Sequence, residues 1–195
     1  MKYKGAISDT DILINLAKGD CLNLLESLFD EIIIPQYIFE KELSKKAGIN
    51  YTKIVQAIEK KNSIFKVVDR ANDILINNLA KDIIQEKKKL IGPGESECAG
   101  YAAAFGVPTI ISDNYTEFKW LDEYITLTHR DILTLSVYFD YISKETANDK
   151  FKTINSKLER PSSLSFEDFY IRSINRFNEN DWCEFLGINT LFDAH

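Results

Sequence analysis

Three short runs of small and β-branched residues constrain this chain most: Lys4-Gly-Ala-Ile-Ser8, Glu31-Ile-Ile-Ile34 and Pro108-Thr-Ile-Ile-Ser112. None alternates polar with apolar positions, so as strands they must be covered on both faces. Between them lie stretches with helical spacing. Asp9 and Thr10 offer an N-cap for a helix through Ile12, Leu13, Leu16 and Ala17, which Gly19 ends. Further helices are expected through Leu22, Leu25 and Leu28, over 37–46 behind Pro35, and over 51–61. Another spans 72–89 with Ile76, Leu79, Ile83 and Ile84 inward, and one over 95–105 follows the Gly92-Pro93-Gly94 break. Residues 63–68 read as a short edge strand, 124–128 as a final strand and 130–139 as a helix. Strands alternating with helices imply right-handed crossovers and a mostly parallel sheet between helical layers.

The alternation stops near residue 140 of the 195. Residues 1–140 therefore read as one α/β domain and 141–195 as an extension. A polar stretch over 143–155 leads through Pro161-Ser-Ser to an apolar stripe at Phe166, Phe169, Tyr170, Ile174 and Phe177, and then to a tail with Trp182, Phe185, Leu186, Leu191 and Phe192. The spacing predicts a helical extension over 163–192 that buries its aromatic face on the first domain, with a dimer or partner interface as the alternative.

Composition removes several function classes. The three cysteines, Cys21, Cys98 and Cys183, are far apart and lack CxxC spacing, which argues for reduced thiols rather than a disulfide framework or a zinc site. Only His129 and His195 are available, so imidazole catalysis and polyhistidine metal sites are not expected. No uncharged run is long enough to span a bilayer, and Asp9 and Asp11 interrupt the place where a signal peptide needs an apolar stretch. A cytoplasmic location with no membrane contact follows as the expectation. The formal net charge of −6 counts against nucleic-acid binding, although cations bound in an acidic site would offset it locally.

The acids fall at informative places. Asp9 ends the first strand and Asp113 the strand over 108–112, where open α/β sheets bind ligands. Glu97 lies in the first turns of the helix before that strand, and Glu40 and Glu42 in the helix after the isoleucine triplet. Four carboxylates converging there would raise one another's pKa, a conflict that Mg²⁺ or Mn²⁺ resolves while activating water for phosphodiester hydrolysis. Each acid also has a plainer role: Asp9 as an N-cap, Asp11 and Glu95 as partners of helix dipoles, Glu40 and Glu42 as surface acids among lysines, and Asp113 as a turn residue.

Four segments carry a resemblance: "AISDTDILINLAKGD" at 6–20, "IIIPQYIFEKEL" at 32–43, "GPGESECAGYAAAFGVPTIISDN" at 92–114 and "TLTHRDIL" at 126–133. In this order they resemble the PIN-domain family. The resemblance implies a three-layer α/β/α fold with a mostly parallel central sheet, here with a C-terminal helical extension. It implies a metal-dependent endoribonuclease with Asp9, Glu97 and Asp113 as ligands. For the second acid the resemblance leaves Glu40 and Glu42 open, and Glu42 is preferred because it precedes Leu43 and shares a helix face with Ile38. The expected cofactor is Mg²⁺ or Mn²⁺, and the expected substrate is RNA. Similar small PIN proteins serve as toxins held by an antitoxin protein, and a homodimer is compatible with the apolar extension. One departure is Asn114, where relatives often carry an acid. It leaves two other readings open: an inactive PIN-like module that binds a protein partner or RNA, and a structure-specific DNA nuclease.

Overall fold

Ile32–Ile34 and Thr109–Ile111 lie either side of Ala6–Ser8, and the three strands form the fully buried centre of a parallel sheet. The computed structural model describes residues 2–114, 116–117 and 120–189. Its five strands are β1 (Ala6–Ser8), β2 (Ile32–Ile34), β3 (Phe65–Val67), β4 (Thr109–Ile111) and β5 (Ile125–Leu127), in the order β3-β2-β1-β4-β5. Every pairing is parallel, and β3 and β5 form the edges. The strand order reverses direction at β1, so the crevice beyond the carboxyl ends of β1 and β4 is the topological switch point.

Helices cover both faces. In the first half these are α1 (Thr10–Lys18), α2 (Asn23–Leu28), α3 (Ser44–Lys46) and α4 (Tyr51–Glu59). In the second half of the α/β unit they are α5 (Ile74–Lys87), α6 (Pro93–Phe105) and α7 (His129–Tyr138). The segment Ile38–Leu43 before α3 is a wide π-helical turn, and it buries Ile38, Glu42 and Leu43 while Glu40 stays exposed. The fold is thus an α/β/α unit with a helical extension made of α8 (Lys144–Asn155), α9 (Phe166–Glu179) and α10 (Cys183–Leu186). Among the described residues no helix is long and apolar enough to cross a membrane.

Two details depart from the sequence reading. The polar stretch over 143–155 is helix α8, and it buries only Ala147, Phe151 and Ile154. Three apolar residues in twelve form too sparse a stripe to stand out, yet their spacing places them on one face. On α5, Leu79 was expected inward but is 54% exposed, whereas Ala80 and Ile84 are buried. The cause lies in the facing helix. Gly100 has no side chain, and a Cβ there would lie 2.9 Å from the Ala80 carbonyl oxygen and 2.3 Å from Ile84 Cγ1. Close approach of α5 to α6 is set by Gly100, and it selects the small Ala80 for the contact.

The extension is packed, not appended. Phe151 stacks at a tilt on Phe166 and Phe169, with ring centroids 6.1 and 5.4 Å apart, and Phe177 is fully buried. Tyr3 Oη donates to the Leu186 carbonyl at 2.9 Å, which ties α10 back to the N-terminal segment. Leu191, Phe192 and His195 lie outside the described residues.

Gly100→Ala tests the helix contact. Helix propensity alone would favour alanine by about 1 kcal/mol. Overpacking against backbone costs about 1–3 kcal/mol, so the variant is expected to lose up to about 2 kcal/mol in urea denaturation. A midpoint raised by the full propensity gain would show that α5 and α6 are not in close contact.

Candidate functional site

Asp9 is delivered to the crevice by the hydrogen bond from its own backbone N–H to the Ile111 carbonyl (3.0 Å), which extends the β1–β4 pairing by one residue. Its side chain caps α1, with Oδ1 accepting from Thr10 N–H at 2.6 Å and Oδ2 accepting from Ser112 Oγ at 3.0 Å. The carboxyl group is almost fully buried. Burial, then the charges of Glu95 and Asp11, push its pKa up to about 8 against the two hydrogen bonds, so at neutral pH Asp9 is predominantly protonated.

Every other expected acid has an internal partner. Glu42 Oε2 accepts from Lys46 Nζ at 2.6 Å, one helical turn on, and from Thr10 Oγ1 at 3.2 Å. Gly94 leaves room for this carboxylate, since a Cβ there would lie 2.7 Å from Glu42 Oε1. Asp113 accepts at Oδ2 from Asn15 Nδ2 (2.7 Å) and at Oδ1 from His129 N–H and its Nδ1, both at 2.8 Å. Burial alone would raise the Asp113 pKa, but the His129 ring and these donors outweigh it and hold the carboxyl below its ordinary range. Asp113 is therefore an acceptor only, and His129 carries its proton on Nδ1.

Glu97 does not face the crevice. It is buried on the side of α6 that meets α5, where Arg70 Nη2 donates to Oε2 at 2.7 Å and Lys88 Nζ lies 3.5 Å from Oε1. The acid that α6 does send toward the crevice is Glu95, whose Oε1 accepts from Asn114 Nδ2 at 2.6 Å and whose charge acts on both Asp9 and Asp11. Residues two apart on a helix point in nearly opposite directions, so one turn cannot present both glutamates to one site.

The open part of the crevice has a volume of about 460 Å³ and is lined by Asp11, Asn15, Lys18, Lys46 and Asp113, with Leu158 and Glu159 of the extension as a wall. Asp11 stands 3.9 Å from Lys46. Its pKa is raised, first by burial and then, against the pull of Lys46, by Asp113, Glu95 and Glu42.

This geometry overturns the expected divalent-metal centre. Among the described residues, no group of three or more His, Cys, Asp or Glu side chains is placed to hold a metal ion. The physical reason is that the conflict among the acids is already resolved. Lys46 meets Glu42, Arg70 and Lys88 meet Glu97, His129 meets Asp113, and Asp9 keeps its proton. The residues do not fit Mg²⁺ or Mn²⁺. The metal-dependent endoribonuclease reading falls with the metal site, as does the DNA nuclease reading that relied on the same carboxylates.

Asn15, Lys46, Arg70, Glu95 and His129 were not foreseen as site residues. Lys46 had a visible signal, its i,i+4 spacing from Glu42. The others arrive through tertiary contacts.

The sequence profile of the PIN-domain family matches residues 5–120. No curated protein and no solved structure matches the chain.

The Asp9 arrangement has a consequence for stability. Asp9 retains a proton in the folded chain at pH values where an ordinary carboxyl, near 3.8, has lost it. Its contribution is fully present below about pH 4 and is lost as pH rises toward the folded pKa of about 8. Asp9→Asn keeps an acceptor for Thr10 and has nothing to ionise. Between about pH 5 and 8 the variant's stability is expected to fall less than the wild type's, by up to about 1.4 kcal/mol per pH unit. Parallel pH profiles in urea denaturation would contradict a protonated Asp9.

Proposed function

We propose, from the premise that the chain belongs to the PIN-domain family, that it is a PIN-like module that holds a protein partner and does not cut nucleic acid. One observation carries the reading: each carboxylate at a position expected to hold metal is matched by a lysine, arginine, histidine or proton of the chain itself. Carboxylates already engaged by side chains of the same fold are poorly placed to hold a divalent cation.

A protein partner is favoured over RNA on two grounds. The net charge of −6 gives RNA phosphates little to bind over most of the surface. Helix α5 meanwhile exposes Ile74 (63%), Leu75 (72%) and Leu79 (54%), more apolar surface than a solvated helix needs. The three cysteines are free thiols, which supports a reducing, cytoplasmic setting.

Two measurements test the reading together. Titration with Mg²⁺ or Mn²⁺ is expected to give no heat of binding, and labelled RNA is expected to stay intact in either metal. A partner recovered from the source cells is expected to survive RNase treatment and to bind the Leu75→Asp/Leu79→Asp variant at least about tenfold more weakly, a loss of ~1.4 kcal/mol. Metal-dependent cleavage abolished by Asp9→Asn would overturn the non-cutting role. Recovery that disappears with RNase would make RNA the bound molecule, and self-association broken by the same variant would make it a second copy of the chain.

A further inference from the structure

A recess of about 570 Å³ opens at the end of the sheet opposite the crevice. Three of the residues around it, Gly5, Glu31 and Pro108, immediately precede β1, β2 and β4, and because those strands are parallel all three stand at their amino ends. The gap follows from how the strands begin. Tyr3 forms a bridge with Phe29, and Ala6 N–H donates to the Glu31 carbonyl at 3.1 Å, so the lead into β1 stays beside β2. Pairing of β1 with β4 is in register at Ile7–Ile110 and Ser8–Ile111, further along the strand. Gly106 turns the chain out of α6 at a φ of +64°, and a Cβ there would meet nothing within 4 Å. The volume falls within the roughly 300–1,000 Å³ usual for small-molecule sites.

The walls are apolar and aromatic, with Ile33, Phe105, Val107, Phe185 and the ring of Tyr3 among them. The Tyr3 hydroxyl is committed to the Leu186 carbonyl, so what Tyr3 offers a ligand is its ring. That ring lies nearly parallel to Phe185, with centroids 6.1 Å apart and planes 9° from each other, and Phe185 is 42% exposed. Three charged side chains complete the lining: Lys2, Lys4 and Glu31. Both lysines are exposed, and among the described residues neither is held in an ion pair. An apolar body of space with a few polar groups at its edge is the usual composition of a small-molecule site.

We infer that this recess is a binding site for an aromatic carboxylate. Flat rings pack against Tyr3, Phe105 and Phe185 in offset or edge-to-face contact, which favours an aromatic body over a saturated one. Lys2 and Lys4 are point charges on flexible stems, suited to a carboxylate held near solvent. Two positive charges stand against the one negative charge of Glu31, a balance that fits a monoanion, whereas a dianion would be repelled by Glu31 at close quarters. The recess shares no lining residue with the crevice or with the exposed face of α5, so the site is independent of the partner-binding reading.

The test uses the full chain at fixed ionic strength, with 2-naphthoate, its neutral amide 2-naphthamide and decanoate as calorimetric probes. 2-Naphthoate is expected to bind at least about threefold more tightly than the amide, the contribution of an exposed ion pair. Decanoate carries the same charge without a ring and is expected to bind more weakly than 2-naphthoate; equal or tighter binding would make the occupant an acyl chain and overturn the aromatic class. The exposed double variant Lys2→Ala/Lys4→Ala should keep its melting temperature and bind acid and amide alike. Phe185→Ala should weaken 2-naphthoate by about fivefold or more, through the lost ring contact. Lys152→Ala, on α8 and outside the recess, should bind like wild type. Absence of 2-naphthoate binding, an acid preference that survives loss of both lysines, or equal loss in Lys152→Ala would overturn the site. A dimer that Phe185→Ala converts to monomer would give the recess to a second copy of the chain and overturn it too.

Discussion

The seam between β1 and β4 positions everything at the crevice. The Asp9 N–H bonds to the Ile111 carbonyl, and Ser112 Oγ returns a bond to the Asp9 carboxyl, so the ends of the two strands and the start of α1 are fixed to each other. From that seam Asp113 projects one residue beyond Ser112 and meets Asn15 from the second turn of α1 and His129 from the start of α7. A parallel sheet needs this kind of closure, because its strand ends leave backbone groups that must find partners.

The acids gathered there create an electrostatic cost that the fold meets locally. An ionised Asp9 would be desolvated and close to the charges of Glu95 and Asp11, so it stays protonated. Glu42 and Glu97, also buried, are offset by cations that come from different parts of the chain. Lys46 follows Glu42 on the same helical run, Arg70 lies between β3 and α5, and Lys88 lies just past the end of α5. Removing Lys46, or Arg70 and Lys88 together, would leave a buried carboxylate without a cationic partner, which is costlier than the pair is favourable. The same logic explains why the position of an acid at a strand end was a sound guide to the crevice and a poor guide to its chemistry.

Much of the architecture was legible because it depends on local pattern. The isoleucine triplet, the Asp9 cap, the Gly92-Pro93-Gly94 break and the Pro108-led strand each act over a few residues, and β2, α1, α6 and β4 appear where those signals lie. The side chains at the crevice depend on phase and on distant partners. Glu95 and Glu97 differ by about 200° around α6, since each residue advances about 100°, and which of them faces the sheet end is decided by how Gly100 seats that helix on α5. Arg70 is more than twenty positions from Glu97, and His129 sixteen from Asp113, so neither pairing has a spacing to read. Helix α8 was hidden for the opposite reason, since its buried stripe is too thin for a periodicity to show.

The extension is joined to the α/β unit by a polar network as well as by aromatic packing. Asp131, buried in the first turn of α7, accepts from Thr128 N–H and Oγ1 within its own cap and from Ser173 Oγ and Arg176 Nη2 of α9. Arg176 continues the chain of bonds to the Thr126 carbonyl on β5. A residue that terminates the last strand is thus tied to the helix that follows the domain, through a carboxylate with both oxygens engaged. Such a fully satisfied buried network fixes one relative orientation of the two helices, because any slip leaves Asp131 or Arg176 unpaired. Phe151, Phe166 and Phe169 supply apolar area, which tolerates sliding; the Asp131 network supplies the register. A recess lined by Arg130 of α7 and by Arg172 and Arg176 of α9 owes its shape to that register. The extension therefore gives this PIN-family chain a surface that the α/β unit alone does not have.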